Sequence, residues 1–303
     1  MNIEIEQAAE ALSTGSILLS LEVKTFGNLR TIPKGQFEAG DADKALLHMS
    51  KQLLARQELK DIESLFTETR RWLDTRALPS LFRRGVYRLP SQLLEQTETY
   101  LQAAAGRLQI KVDRLLTVYV PMMDSMSHRL GRFFSAMDYP TQEQLRAAFS
   151  IRWRYFSGQP VEELQFLSAE QQIAYQSKIK EEVQAEVEEV RSVLRAELKI
   201  LVDHAHKRLT GQNSDGKPMV FRDTLLGNLN GFLDLFDKRD ITNDQEFKRL
   251  VDEARALSKG IDPKLLRKNP DVRAEFAYGL THLKTSLDGM MIERPSRRIK
   301  LLD

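Results

Sequence analysis

Five histidines are the first side chains to test for chemistry: His48, His128, His204, His206 and His282. Only Asp203, His204 and His206 cluster. On a helix, positions i and i+2 point apart, so His204 and His206 cannot share a metal. Asp203 and His206, at i and i+3, can face one ion, but two ligands do not make a site. The carboxylates Glu181, Glu182, Glu186, Glu188 and Glu189 lie among Lys178, Lys180, Arg191 and Arg195 at helical neighbour spacing, the pattern of a solvated face. The chain has no cysteine, which excludes disulfides, thiolate metal sites and cysteine nucleophiles. It also lacks a Walker A sequence, a G-x-G-x-x-G turn, a G-x-S-x-G elbow and H-E-x-x-H. No catalytic, cofactor-binding or metal-ligating residue is nominated, and the expectation is a non-enzymatic protein.

Charge offers a better lead. The net charge is only +2, but it is uneven. Residues 1–69 carry 7 basic and 11 acidic side chains, and residues 70–154 carry 14 basic and 7 acidic. All but Lys111 of those 14 are arginine, which forms planar bidentate pairs with carboxylates and phosphates. Two readings stand: a surface that meets nucleic acid or an acidic protein, or internal ion pairing with the acidic N-terminal third. Arg83, Arg84 and Arg88, between a helix and a strand, form the candidate interaction loop, since loops so placed often carry function.

The elements that position these residues are mostly helical. Residues 16–24 alternate Ile17, Leu19, Leu21 and Val23 with Leu18, Ser20, Glu22 and Lys24, a strand period. Gly27-Asn28 supplies a turn, and residues 29–32 fold back as a short partner before Pro33. Residues 85–89 form a second extended piece, and these pieces pair in a small sheet on helices. Asp41 or Asp43 caps a helix holding Leu46, Leu47, Leu53 and Leu54, and the stripe Leu59, Ile62, Leu65, Phe66 and Leu73 follows. A long helix over 91–134 carries Leu94, Thr97, Leu101, Ala104, Leu108, Val112, Leu115 and Tyr119, with a kink at Pro121. Met122, Met123 and Met126 continue its core stripe. Residues 145–156 fit a helix that gives way to a strand near Ser150. Trp72 and Trp153 read as core or interface residues.

Residues 168–210 form the clearest element. Ser168 and Gln171 make a capping box. Val183, Val187, Val190, Leu194, Leu198, Leu201, Ala205 and Leu209 recur with an eleven-residue period, close to a straight or slightly right-handed coiled coil. Further helices carry Phe221 to Phe236, Phe247 to Leu257 and Val272 to Leu287. The expected fold is mainly α: an elongated helical bundle with two long helices of about 43 residues packed together, and a small β-sheet or hairpin near the N-terminal third. Residues 1–167 form a mixed helical region with the β element, residues 168–290 a helical region, and 291–303 a tail, in one intertwined domain. No apolar run approaches the roughly 18 residues of a membrane span, and no secretory signal is visible, so a cytoplasmic location is expected.

At residues 72–90 the chain reads W-L-D-T-R-A-L-P-S-L-F-R-R-G-V-Y-R-L-P. Here it resembles a family of helical proteins of about this length and of unknown function, encoded by phages, integrative elements and some bacterial chromosomes. The opening strand before Gly27, Leu130-Gly131, Asp138-Tyr139-Pro140, the turn from Asp240 to Asp244 and the stretch from Leu265 to Arg273 are similar as well. The resemblance covers about residues 16 to 290. Its members are commonly encoded beside a cobaltochelatase-like (MoxR-type) AAA+ ATPase and a von Willebrand A domain protein, which implies an adaptor or assembly role with those partners. The family has no assigned catalytic residues. Two alternatives remain open at this point: a nucleic-acid-binding accessory protein, and a structural protein that self-associates through the eleven-residue stripe.

Overall fold

The computed structural model describes residues 3–38, 40–78, 85–157, 168–212, 219 and 221–291. Among them are α1 (Ile3–Thr14), β1 (Ser16–Lys24), β2 (Leu29–Thr31), β3 (Ser50–Gln52), α2 (Arg56–Asp74), β4 (Val86–Pro90), α3 (Leu94–Leu130), α4 (Gln142–Ala147) and β5 (Ser150–Phe156). They are followed by α5 (Ala169–Thr210), α6 (Asp223–Arg239), α7 (Gln245–Ser258), α8 (Pro263–Lys268) and α9 (Pro270–Met290). Mainly helical structure with a small sheet is what the periodicities require. The chain divides into two compact units.

One unit comprises the described residues of Leu18–Ala77 and Phe82–Phe156. Its sheet has the order β4-β1-β5, with β1 and β5 antiparallel and Leu21 opposite Trp153. The strand period turns Leu19 and Leu21 inward beside Ile151, and α2 and α3 supply Leu65, Phe66, Leu101, Ala104 and Leu108 to the same core. Tyr119 stays buried and donates its hydroxyl to the Pro140 carbonyl (2.8 Å), tying α3 to the break before α4. A capping box of Thr141 and Gln144 starts α4.

Three expectations are corrected here. First, only α5, with 42 residues, reaches the expected length; α3 has 37 and ends at Gly131, whose φ of 50° favours a residue without a Cβ. Pro121 lies inside α3 without ending it. Second, the two long helices are spines of different units: α3 packs on α2, β5 and α4, whereas α5 packs on α9, α6 and α1. Third, no helix joins Leu46 to Leu54. Asp43 caps only a single 3-10 turn by accepting from the Ala45 amide (2.7 Å), and the chain then pairs as β3 with β2. Leu53 and Leu54 are fully buried from a non-helical segment.

The other unit comprises the described residues of Met1–Ile17, Leu78–Leu81 and Ser157–Asp303. Its spine is α5, started by the Ser168–Gln171 capping box. Val187, Val190, Leu194, Leu198, Ala205 and Leu209 are buried against Phe232, Phe236, Phe276, Leu280, Leu283 and Leu287, with Ala8 and Leu12 of α1 in the same core. The eleven-residue stripe is therefore consumed within the unit. Gly279 lets α9 close on α7: a Cβ there would lie 2.5 Å from a Leu257 methyl.

Candidate functional site

Of the three arginines nominated from the sequence, Arg83 and Arg84 lie outside the described residues. Arg88 lies on β4 and is only 3% exposed. A guanidinium at that depth belongs to the interior, where burial is tolerated only with hydrogen-bonded partners. Several other arginines of the basic segment are absorbed by the unit's own surface. Trp72 stacks on Tyr100 with ring centroids 4.0 Å apart, and the Arg76 guanidinium lies 4.0 Å from the Trp72 ring. Two groups that close on one indole must take opposite faces, so Trp72 is covered on both. Arg107 pairs with Glu68 (2.9 Å) and lies over Tyr100, and Arg146 pairs with Asp113.

Glu98 on α3 accepts from the Trp153 indole (2.8 Å), the Tyr155 hydroxyl (2.9 Å) and the Gln102 amide (2.8 Å). Desolvation pushes its pKa up, but those three donors outweigh it and leave it below the ordinary value. Burial, together with the same bond to Glu98 and its charge, raises the Tyr155 phenol. This node fastens β5 to α3. No sequence signal announces Glu98 itself; the alternation of Trp153 and Tyr155 along a strand is the half of the node that the sequence contains.

A more suggestive surface lies between Phe26 and Leu54. Phe26, Ile32, Phe37, Leu53 and Leu54 are buried and anchor its underside. In the same segment Leu29 is 59% and Leu46 83% exposed, and Leu47 and Met49 are also exposed. The segment is held rigidly. Asn28 makes paired bonds with Leu54, donating to its carbonyl (2.9 Å) and accepting from its amide (2.7 Å). Ile32 donates to the Met49 carbonyl (2.8 Å), and Lys34 to the Ala45 carbonyl (2.8 Å). Lys51 pairs with Asp138 (2.6 Å) and donates to the Phe133 carbonyl. Four large apolar side chains are thus exposed along one braced, non-helical segment. Helical periodicity hid them, because it assigned Leu46 and Leu47 to a buried stripe.

The second unit spends its charges on packing. Arg195 pairs with Asp244 (2.6 Å), Arg191 donates to the Thr242 carbonyl (3.1 Å), and Arg239 grips Glu197 through both terminal nitrogens (2.6 and 3.1 Å). Arg195 therefore does not belong to the solvated face expected of it, and Glu186 is buried as well. Asp203 accepts from Lys284 (2.5 Å) and Lys199 (3.1 Å); burial raises its pKa, and the two ammonium groups override that and lower it. His206 meets Thr281 (3.0 Å) and does not turn to Asp203. Among the described residues no group of three His, Asp or Glu side chains is placed to hold a metal ion, and no helix is long and apolar enough to cross a membrane. Comparison of the chain with protein families, curated proteins and solved structures returns no match.

Proposed function

We propose that this protein is a non-enzymatic adaptor or assembly component that binds other proteins, within an AAA+ ATPase and von Willebrand A type system of a phage or mobile element. The gene context comes from the resemblance of residues 72–90 and the stretches that accompany them. The observation that carries the binding role is the braced display of Leu29, Leu46, Leu47 and Met49. Isolated apolar side chains are ordinary on protein surfaces; four of them within one short, hydrogen-bonded segment are what support a partner-covered surface here. Met and Leu in such a layer bind through shape and desolvation, without chemistry of their own.

The test is recovery of the tagged full chain from its native host after nuclease treatment. The expected eluate contains an AAA+ ATPase or a von Willebrand A domain protein. Leu46→Asp with Met49→Asp should lower its recovery at least about tenfold while leaving the circular dichroism and melting temperature unchanged. Undiminished recovery removes the apolar layer from the reading, and a wild-type eluate without either partner removes the reading itself.

A nucleic-acid-binding role has one observation in its favour: Arg152 and Arg154 are exposed and have no hydrogen-bond or ion-pair partner for their guanidinium groups among the described residues. It requires affinity for oligonucleotides that falls steeply as salt rises from about 50 mM. Self-association through the eleven-residue stripe has lost its motivation, since that stripe is the core of α5's own unit.

A further inference from the structure

We infer that the outer edge of β5 is a docking site for an extended acidic peptide of a partner protein, bound by strand addition; this rests on the adaptor reading and names a second contact for it. β5 is an edge strand, with β1 on one side and no described strand on the other. Alternate residues of such a strand direct their N–H and C=O groups away from the sheet, a ready template for another chain. The edge is also stiff. Ile151 is buried, while Trp153 and Tyr155 are fastened to Glu98 of α3, so the strand is fixed before any partner arrives. Preorganisation of this kind removes part of the ordering cost of binding.

Charge selects the occupant. The opposite period of the strand places Arg152 and Arg154 on its exposed face, two residues apart and about 7 Å along the strand. Neither guanidinium has a carboxylate partner among the described residues. Directly across β1, Ser20 faces Arg154 and Glu22 faces Arg152, and Lys24 lies 3.9 Å from Glu22. The face is therefore basic, with its one opposing acid already shared. A strand added to β5 repeats the same two-residue period, so Asp or Glu at alternate positions falls beside the two guanidinium forks, which match carboxylates bidentately. Nucleic acid fits this face less well. The Trp153 and Tyr155 rings that would stack on bases turn to the other face and are bonded to Glu98.

Edge arginines can also serve only to keep strands from pairing between molecules, and the experiment separates the two roles. The full chain is titrated, by fluorescence anisotropy, into a labelled short peptide alternating glutamate and valine. Parallel titrations use its lysine counterpart, a version interrupted by proline, and oligothymidylate. The acidic peptide should bind, and the lysine and proline versions should not. Arg152→Glu with Arg154→Glu should weaken binding at least about tenfold. Arg154→Gln, with an unchanged melting curve, should weaken it by a smaller factor and covers the case in which the double variant fails to fold. The inference is overturned if the acidic peptide does not bind, if Arg154→Gln binds it as well as the wild type, if oligothymidylate binds in its place, or if Arg154→Gln changes only the tendency to aggregate. A complex with the AAA+ or von Willebrand A partner that forms normally while the peptide fails would leave the adaptor reading standing without this edge. Absence of the complex would end that reading whatever the peptide does.

Discussion

Arg239 is a charge that only folding makes sense of. In the sequence it is one of the last residues of an amphipathic helix; in the structure it is 2% exposed and clamps Glu197. Removing one member of such a pair strands the other in low dielectric, so Arg239→Ala should cost about 3–5 kcal/mol in urea denaturation. Arg239→Met combined with Glu197→Leu should cost much less, because no uncompensated charge remains. Asp240, the next residue, works the other way. Burial raises its pKa above the ordinary 3.8, and the nearby charge of Asp244 adds to the rise against hydrogen bonds from the Asp244 amide and Thr242. A carboxyl whose folded pKa is raised contributes stability that is fully present below its unfolded pKa and lost as pH rises through the folded one. Asp240→Asn keeps an oxygen acceptor and cannot ionise. Its melting temperature relative to wild type should therefore climb between about pH 3 and pH 7, and a difference that is flat or falls with pH would contradict this assignment.

At the scale of elements, α5 is the most legible part of the chain and also one of the least uniform. Its start, its stop and its eleven-residue stripe follow from Ser168, Gln171, Gly211 and the spacing of Val and Leu. Among the described side chains of α5, however, the first buried ones are Glu186 and Val187, and Ile173 in the first turns is 69% exposed. Leu198→Ala should destabilise the protein by about 2–5 kcal/mol, as a cavity in a close-packed core does, while Ile173→Ala should leave the denaturation midpoint within error. The strands divide in the same manner. β1 and β5 show in the sequence as alternations, but the partner of β2 is β3, a three-residue strand with no alternation long enough to read. Asn28, Leu53 and Leu54 settle that pairing through contacts 25 or more residues apart in the chain, and periodicity carries no information about them.

For the whole molecule, the two cores yield a test of independence. The unit around α2, α3 and the three-stranded sheet is nearly continuous in sequence, so a fragment of residues 18–156 should fold alone, with helical circular dichroism and a cooperative melt. A fragment of residues 157–303 lacks α1, and with it Ala8 and Leu12 of the α5 core; it should melt lower than the same fragment fused to residues 1–17. Equal melting temperatures would show that α1 adds nothing to that core. Composition and spacing by themselves determined a mainly helical chain with a small sheet, the caps and extent of α5, the location of β1, β4 and β5, and most of the core stripes. These depend on backbone periodicity and local capping, which act over a few residues. Tertiary structure alone decided that the two long helices serve separate cores, that Arg88 and Arg239 are interior, that Leu46 and Leu47 face outward, and that Arg152 and Arg154 stand open on an edge. Each of those outcomes depends on which distant surfaces pack together. Burial and charge neutralisation are properties of neighbours in space, and one-dimensional spacing does not contain them.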